Sequence, residues 1–402
     1  MQNSKFKILL GGYLLVIIGL FFYSFTQVDL GLTLSEWSVW QVFQKFFQHI
    51  GYFNRPLSTF FYLILLTLLF SFYILFLILA YKKRLSKKQG WIVIGCMSII
   101  LLFAYNAFSY DLFNYIFDVK IVTYYHQNPY EHKAFDYLGN PMLGFMHWTG
   151  RTYPYGPFWL FITVPFGLLD GFRLLLPTMM LFKGIAFVSF LGTVYFLKKI
   201  LQKISPENEL FATIFFALNP LVIIESLVSA HNDIVMMFFS VSSFYFLIHK
   251  KYFYALLLLL ASIGIKFATI FLFPIFFIVF FLLQRKGKID WNIICYAMVF
   301  FMIAPVIAAS QRTNFQPWYL LYVLPFAALI AKKYFVFIPS LIIPFFALLQ
   351  YTPFLYLGNW DPPVPMILQW FMITSIIISF LLLFVWYVKT NRSPKNDTIR
   401  VP

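Results

Sequence analysis

Apolar runs of membrane-spanning length, separated by short polar and basic segments, extend along almost the whole chain. The first run predicts a helix at about 8–26, which we expect to be retained because no small-residue cleavage site follows it. An amphipathic, aromatic-rich connection follows at 27–55. The later runs predict spans at about 57–80, 90–108, 174–197, 209–227, 234–248, 252–284 (a hairpin of two), 290–309, a tenth ending before Lys332, 334–352 and 366–388. The run 157–169 is too short to cross comfortably and predicts a re-entrant or interfacial helix. The pattern therefore predicts an all-α polytopic bundle of about 12 transmembrane spans, as one integral membrane domain over 1–402.

Composition and charge place this bundle in a membrane and give it an orientation. Hydrophobic residues make up 61% of the chain and charged residues 11%, a balance that excludes a water-soluble protein. The net charge of +16 comes from short Lys/Arg clusters between apolar runs, which indicate topology rather than nucleic-acid binding. The densest cluster, at 82–88, predicts a cytoplasmic loop. Both termini, including a basic tail at 389–402, are then predicted in the cytoplasm, and the segment 109–155 outside the plasma membrane.

Acidic residues, which play no part in the positive-inside rule, fall mainly on the predicted outer side. Those on the outer side include Asp111, Asp118, Glu131, Asp136, Glu225, Asp233 and Asp361. Their segregation predicts a polar outer face where the chemistry takes place. Asp111 and Asp118, seven residues apart, would share one helix face if their segment is helical. The alternative is that both are solvated loop acids that merely end a transmembrane helix.

The sequence carries none of the phosphate-binding glycine loops of cytosolic nucleotide enzymes. No GxxxxGK[ST] segment and no GxGxxG segment after a strand occurs, and no His/Cys cluster has zinc spacing. His126, His132 and His147 share an outer segment without i, i+4 spacing, so we expect no metal. A reactant must therefore reach the outer face already activated, as a lipid-linked phosphate does.

Four motifs, in order along residues 109–325, resemble those of one enzyme superfamily. They are Asp111, Tyr115 and Asp118 followed by Asn128-Pro129-Tyr130, then Tyr153 to Pro157, Asn219-Pro220 with Glu225 and His231-Asn232-Asp233, and finally Gln316 to Leu321. Together they are similar to the motifs of GT-C superfamily membrane glycosyltransferases, particularly the polyprenyl-phosphate-mannose-dependent alpha-mannosyltransferases. Two departures are Tyr155-Gly156, inserted in the usual proline pair of the second motif, and Tyr322, which replaces the final Trp of the fourth.

This resemblance implies a GT-C fold with a long first catalytic outer loop, and an inverting glycosyltransferase activity. The donor would be a polyprenyl-phosphate sugar carrying mannose or a related hexose, and the acceptor a glycan or glycolipid on the extracytoplasmic face. The lipid-linked sugar would be a co-substrate in the membrane lipid, with no further cofactor and no nucleic acid as partner. A single displacement inverts the anomeric carbon and needs one carboxylate base. Asp111 matches the family's acid and is predicted to be this base, and Asp118 would orient the acceptor or hold Lys120.

Polar and aromatic residues of the motifs, with Lys266 and Arg312, are predicted to bind the donor phosphate or sugar. They are Tyr115, His231, Asn232, Asp233, Lys266, Arg312, Gln316, Trp318 and Tyr319. Lys266 interrupts an apolar run, where a charge without a partner costs about 2.5 to 3.5 kcal/mol, and a phosphate is one possible partner. Lys183, inside another apolar run, is predicted to contact phosphate for the same reason. Simpler alternatives are helix capping by Asn232 or Asp233, snorkelling of Lys266 and an aromatic belt at the interface.

Two other functions remain open. A transporter or flippase of lipid-linked saccharide is the main alternative, although such proteins usually show two similar halves with charges near the membrane midplane. The chain shows no internal repeat, and its polar residues gather at one surface, which favours the enzyme. A non-catalytic assembly factor would be expected to have lost Asp111 or the motif at 231–233, and both are present.

Overall fold

Helices form the regular structure of residues 3–170, 175–285 and 288–392, which the computed structural model describes. Within these ranges the exception is an antiparallel bridge between Lys133 and Thr152. Seven described helices are long and apolar enough to cross a membrane: Asn3–Gln27, Arg55–Tyr81, Leu175–Ile204, Phe267–Gln284, Trp291–Thr313, Tyr334–Leu357 and Val364–Thr390. The helical fold of an integral membrane protein is thus confirmed. The predicted total of about 12 spans is not confirmed, and most of the predicted tail at 389–402 lies outside the described residues.

The helices divide into long apolar ones and short connecting ones. The α-helices, in chain order, are α1 (Asn3–Ser24), α2 (Ser38–Gln48), α3 (Arg55–Tyr81), α4 (Lys87–Leu102), α5 (Asp111–Thr123), α6 (Pro157–Asp170), α7 (Leu175–Ile204), α8 (Glu209–Ala217), α9 (Pro220–Ile223), α10 (Asp233–Ile248), α11 (Tyr252–Ile265), α12 (Phe273–Gln284), α13 (Trp291–Thr313), α14 (Leu324–Leu329), α15 (Tyr334–Phe337), α16 (Pro339–Leu349), α17 (Tyr351–Leu357) and α18 (Val364–Arg392). Short 3-10 helices occur at Phe25–Gln27, Ala134–Asp136, Pro141–Gly144, Pro206–Asn208, Phe267–Leu272 and Pro317–Tyr322, and π-helices at His49–Phe53 and Ile224–Val228. Helix α10 packs extensively on α11 and α7.

The predicted helix 90–108 is shorter than expected and ends at Leu102. The Asn106 side-chain amide donates to the Ser109 carbonyl oxygen, and the Ser109 hydroxyl oxygen accepts from the Asp111 backbone amide, each at 3.1 Å. Such bonds between polar side chains and the backbone compete with a continuing helix. A separate helix, α5, therefore begins within the segment that was predicted as an outer loop.

Other predicted spans are short or broken. The span at 234–248 corresponds to α10, whose 16 residues rise about 24 Å, less than a hydrocarbon core of about 30 Å. The hairpin at 252–284 is present, with its break at Lys266. The tenth predicted span is a 3-10 helix followed by α14, which has six residues. The run 157–169 is helical, as α6.

The predicted amphipathic connection contains α2, whose polar face is turned inward. The Gln44 side-chain amide donates to the Leu32 carbonyl oxygen at 2.6 Å, and Gln48 is likewise buried. Phe43 and Phe46 on the opposite face are exposed. An exposed apolar face on a short amphipathic helix is typical of a helix that lies in a membrane interface.

A break between α8 and α9 brings a sequence motif into the bundle. The Asn219 side chain accepts a hydrogen bond from the Leu221 amide at 3.0 Å and caps α9, while Pro220 lacks the N–H that would continue α8. The two halves of this apolar segment meet at 56°. The π-helix Ile224–Val228 and a turn with Ala230 at φ +54° follow α9. His231 comes directly after this turn.

Helix α7 connects two polar regions of the protein. Near its start, the buried Lys183 ammonium donates to the Leu227 and Val228 carbonyl oxygens at 2.7 and 3.0 Å. At its end, Ile204 lines a cavity of about 390 Å³ together with the basic pair 332–333. The helical rise from Lys183 to Ile204 is about 31 Å, comparable with a hydrocarbon core of about 30 Å. The basic pair 332–333 thus lies at the end of this helix that is remote from Lys183.

Replacing Asn219 with alanine removes the cap of α9. We expect this substitution to destabilise the fold by about 1 kcal/mol, seen as a lower midpoint of thermal unfolding in lipid nanodiscs. Asn208→Ala is the matched control, because Asn208 precedes α8 without a side-chain capping bond. Equal losses for the two variants would contradict the capping role of Asn219.

Candidate active site

Asp111 and Asp118 lie on the buried side of α5. Asp111 is the first residue of the helix, and the two aspartates are 8% and 9% exposed. The alternative of solvated loop acids is therefore wrong. Because α5 is a continuous helix, the seven-residue spacing places both carboxylates on one face, as predicted.

Three side chains surround the Asp111 carboxylate. The Tyr155 hydroxyl donates to Oδ2 at 3.4 Å, Arg151 Nη2 lies 4.0 Å from Oδ1, and His231 Nδ1 lies 3.7 Å from Oδ2. Burial raises the pKa of Asp111 above its ordinary value, although the positive charges of Arg151 and Lys266 oppose the rise. Asp111 is thus more basic than an aspartate in water, which suits a proton acceptor working near neutral pH.

Asp118 is a second buried acid, and one of its oxygen atoms has no partner within the described part of the chain. Its Oδ2 atom is buried and has no hydrogen-bond partner among the described residues. Burial raises the pKa of Asp118 to about 7, Arg151 lowers it, and the charge of Asp111 raises it further. This carboxyl can therefore exchange a proton near neutral pH.

Arg151 is a cation close to the two aspartates, and it was not among the predicted residues. Its guanidinium lies 5.6 Å from the centroid of the Tyr155 ring and interacts electrostatically with Asp111 and Asp118. Its side chain is 30% exposed, so it remains reachable from outside. The available signal was its position two residues before the tyrosine-rich motif that begins at Tyr153.

Lys266 lies at the break between α11 and the following 3-10 helix, where the backbone is extended. Its Nζ atom donates to Asp233 Oδ1 at 2.7 Å and lies 5.4 Å from the centroid of the Tyr155 ring. Snorkelling towards water does not account for this position, because Asp233 is fully buried. Arg151 and Lys266 therefore approach the same tyrosine ring and bring two positive charges to the site.

His231 is fully buried and stacks on Trp318, with 4.2 Å between ring centroids and 22° between ring planes. Its Nδ1 atom faces Asp111, and its Nε2 atom lies 3.3 Å from Glu225 Oε2. Burial lowers the pKa of His231 well below its ordinary value, and the charge of Lys266 lowers it further. The imidazole is therefore neutral, and the Trp318 ring packs against it rather than lying in an aromatic belt.

Asn232 and Asp233 connect this motif to the neighbouring helices. The Tyr115 hydroxyl donates to Asn232 Oδ1 at 3.3 Å, and the Asn232 backbone amide lies 3.4 Å from the same hydroxyl oxygen. Asn232 precedes α10 without a side-chain capping bond, and the Asp233 carboxylate binds Lys266. The capping alternative therefore does not describe these two side chains.

The remaining predicted residues, Arg312, Gln316 and Tyr319, belong to one segment at the end of α13 and differ in their distance from the acids. The Tyr319 hydroxyl is 2.6 Å from Thr313 Oγ1, and Tyr319 interacts electrostatically with Asp233. The Gln316 side-chain amide donates to the Thr313 carbonyl oxygen at 3.4 Å. Arg312 is exposed, and among the described residues it forms no ion pair with the buried acids. The structure thus brings Tyr319 near the acids and leaves Gln316 and Arg312 outside them.

Lys183 does not contact the acids, and its prediction as a phosphate contact needs correction. It is 1% exposed, and its ammonium is bound by two carbonyl oxygens of the π-helix Ile224–Val228. Carbonyl oxygens in the last turn of a helix have no partner within that helix, and the Lys183 ammonium binds those of Leu227 and Val228. This lysine therefore supports the segment that leads to His231.

The arrangement can accept a proton and stabilise an anion. Two acids, Asp111 and Asp118, lie in a largely buried region with the cations Arg151 and Lys266 and a neutral imidazole. Cations near a dry carboxylate stabilise developing negative charge better than they would in water. In the described ranges, no group of three or more His, Cys, Asp or Glu side chains is arranged to hold a metal ion.

The sequence model of one protein family matches the chain over residues 12–282. The family is described as alpha-(1->6)-mannopyranosyltransferase, N-terminal domain. The match contains Asp111, His231 and Lys266 and extends upstream of the motif region to residue 12, whereas Trp318 lies beyond it. It confirms the resemblance to membrane mannosyltransferases. Comparisons with curated proteins and with solved structures give no match.

Gly156 holds the tyrosine-rich motif against the break before Lys266. Its amide donates to the Ile265 carbonyl oxygen at 2.9 Å, and a Cβ atom at this position would lie 2.3 Å from the Gly264 carbonyl oxygen. We expect Gly156→Ala to lower the free energy of unfolding by about 1–3 kcal/mol through overpacking, measured by thermal unfolding.

Gly150→Ala is the control for this substitution, because it lies in the same loop with nothing within 4 Å of an added Cβ atom. It should leave the unfolding midpoint close to that of the unsubstituted protein. A Gly156→Ala protein as stable as the control would show that this close approach does not constrain the site.

Proposed function

Because the chain belongs to the alpha-(1->6)-mannopyranosyltransferase family, we propose that it transfers mannose or a related hexose from a polyprenyl phosphate to a glycan or glycolipid. The reaction inverts the anomeric carbon and takes place on the extracytoplasmic face. The observation that carries this proposal is the buried Asp111 carboxylate, which lies 4.0 Å from Arg151 and interacts electrostatically with Lys266.

Asp111 is the proposed general base. A sugar hydroxyl attacks well only if its proton is taken up as the new bond forms. Oδ2 of Asp111 is engaged by Tyr155 and faced by His231, which fixes the orientation of the carboxylate. In a direct displacement, the acceptor oxygen bonds to the anomeric carbon while the bond from that carbon to the phosphate oxygen breaks, so one base suffices. Asp118, with its free oxygen, is proposed to orient the acceptor.

Arg151 and Lys266 are proposed to bind the departing phosphate. As the sugar leaves, negative charge grows on the lipid phosphate, and fixed cations stabilise that charge most when they are already in place. Asp233 holds the Lys266 ammonium by an ion pair of 2.7 Å, so little reorganisation is needed. The exposed part of the Arg151 side chain provides a second donor, in a fork that suits phosphate oxygens.

The proposed extracytoplasmic location follows from the distribution of charge. The basic pair 332–333 lies near Ile204, at the end of α7 away from Lys183. Lys183 contacts the segment that leads to His231. If the basic end is cytoplasmic, as the positive-inside rule indicates, the acids lie near the opposite leaflet. A lipid-linked donor places its phosphate at that depth.

Asp111→Asn tests the proposed reaction. We expect this substitution to reduce kcat by about 10²–10⁴-fold, the usual contribution of a general base, because an amide cannot take up the acceptor proton. The assay uses purified protein in nanodiscs, radiolabelled polyprenyl-phosphate-mannose and a panel of glycan and glycolipid acceptors. Asp136→Asn, which changes a partly exposed acid of the same outer segment, should retain full activity.

Transfer that survives in Asp111→Asn at the level of the control would remove Asp111 from the role of base. If the unsubstituted protein transfers no sugar from several lipid-linked donors but moves a labelled lipid across vesicle membranes, the transporter alternative replaces the enzyme.

The acid limb of the pH profile gives an independent test. Only ionised Asp111 accepts a proton, so the rate falls as the pH drops through its pKa. Because burial raises that pKa, we expect half-maximal kcat/KM at a pH clearly above 3.9, the value for an ordinary aspartate. Asp118→Asn separates the titration of the second acid from that of the base. An acid limb at or below about pH 4 in both proteins would contradict the assignment.

A further inference from the structure

Glu225 is a fully buried acid behind the site, on the side of His231 away from Asp111. It lies in the π-helix Ile224–Val228 and is 0% exposed. Its Oε1 atom accepts a hydrogen bond from the Tyr351 hydroxyl at 2.9 Å, and its Oε2 atom lies 3.3 Å from His231 Nε2. The reaction proposed above assigns no function to this residue.

The surroundings of Glu225 favour the protonated acid. The groups that face it from the packed elements are Tyr351 (α17), Tyr62 (α3), Asp233 (α10), Asp111 (α5), Ser229 and His231. Among the described residues, Glu225 forms no ion pair with a lysine or an arginine. An ionised Glu225 would therefore be a buried negative charge near two other acids, with no cation to offset it, and such a charge costs several kcal/mol. The positive charge of Lys266 lowers the pKa of His231, but the ammonium of Lys266 forms its ion pair with Asp233 and not with Glu225.

The donors and acceptors along this line can all be paired only if Glu225 carries a proton. The Tyr351 hydroxyl donates to Oε1. The Glu225 proton, on Oε2, can then donate to His231 Nε2, and the Nδ1–H of the neutral ring can donate to Asp111 Oδ2. In this series of Tyr351, Glu225, His231 and Asp111, each polar hydrogen then has one acceptor. The single negative charge of the series lies on Asp111.

An ionised Glu225 gives the opposite arrangement. Nε2 would have to carry the ring proton and donate to Glu225, and the Nδ1 lone pair would then face the Asp111 carboxylate. That contact is repulsive unless Asp111 takes up a proton, which would remove the base. The protonation of Glu225 therefore decides which nitrogen of His231 carries the hydrogen, and through it the charge of Asp111.

We propose that Glu225 is a positioning residue: as a protonated acid it holds His231 in the Nδ1–H tautomer and so keeps Asp111 ionised and oriented. This inference rests on the proposed function in taking Asp111 as the base. The stack of His231 on Trp318 fixes the ring plane, so the two ring nitrogens stay directed at the two acids. At 3.3 and 3.7 Å, Glu225 Oε2 and both ring nitrogens of His231 are close to their partners without forming a hydrogen bond, and catalytic hydrogen bonds commonly tighten when substrate binds.

Glu225→Gln separates the two protonation states. Glutamine reproduces the protonated acid, because its carbonyl oxygen can accept from Tyr351 and its NH₂ group can donate to Nε2 of His231. We expect kcat within about tenfold of the unsubstituted protein and an unchanged acid limb. If Glu225 worked as a carboxylate, the amide would select the wrong tautomer, and the loss would be on the order of 10⁴-fold, as for the carboxylate of a serine-protease triad. Such a loss overturns the proposal.

Glu225→Leu removes the donor to Nε2 but keeps an apolar side chain in the space. We expect a fall in kcat with little change in KM for the donor, and an acid limb moved to higher pH, since Asp111 then gains a proton more readily. Glu209→Gln is the matched control, because Glu209 is also a buried acid but pairs with Lys87. It should leave the pH profile unchanged. An identical profile for Glu225→Leu and the control would contradict the proposal.

Infrared spectroscopy tests the protonation of Glu225 without any assay of activity. At neutral pH the unsubstituted protein should show the C=O stretch of a protonated carboxyl that is lost in Glu225→Gln. If that variant does not fold, Tyr351→Phe provides the same information, because loss of the hydroxyl that donates to Oε1 should shift the band. A spectrum without such a band, or with a band that neither substitution changes, overturns the proposal. Absence of sugar transfer by the unsubstituted protein would instead count against the proposed function, and the infrared result would still stand.

Discussion

Charged groups inside an apolar bundle have to be neutralised by one another, and the centre of this protein is organised by that requirement. An unpaired carboxylate or ammonium in such a place costs several kcal/mol, so buried charges are expected in pairs. Lys266 is held by Asp233 at 2.7 Å, and Arg151 lies 4.0 Å from Asp111. Glu225 has neutral partners and is inferred to keep its proton. The result is a site in which a carboxylate can remain ionised in a dry environment because cations are close and the acid behind it is neutral. Burial, which raises the pKa of Asp111 against the effect of the cations, makes that carboxylate a stronger base than an aspartate in water.

Breaks in the helices place these charges. Backbone that is not helical persists at membrane depth only where protein groups or a cavity satisfy its polar atoms. The Asn219 side chain caps the helix after one break, and the Lys183 ammonium binds two carbonyl oxygens of the π-helix beyond it. At the other break, the Gly156 amide binds the Ile265 carbonyl oxygen beside Lys266. Each break is followed closely by a charged or ionisable residue. The irregular segments therefore position the charged residues of the site, and the long helices surround them.

The class of fold and the type of chemistry could be predicted from the sequence, whereas the connections within the site could not. A span needs about 20 apolar residues, so run length indicates helices, but it does not show where a run breaks, as it does at Lys266. Asp111 and His231 could be found because polar residues among apolar ones are costly and therefore conspicuous. Arg151 was missed because its position depends on how a loop packs against α5. The contact of His231 with Glu225 depends on a π-helix, for which the sequence carries no periodic signal.

We propose that a lipid-linked phosphate binds between Arg151 and Lys266 and presents its sugar to Asp111. A cryo-electron-microscopy structure with a non-hydrolysable phosphonate analogue of the polyprenyl-phosphate sugar would show this binding mode. We expect phosphonate oxygens in contact with both cations, the anomeric carbon facing the Asp111 carboxylate, and the Lys266–Asp233 ion pair intact. An analogue bound instead in the basic cavity beside Ile204, or with its anomeric carbon remote from Asp111, would contradict it.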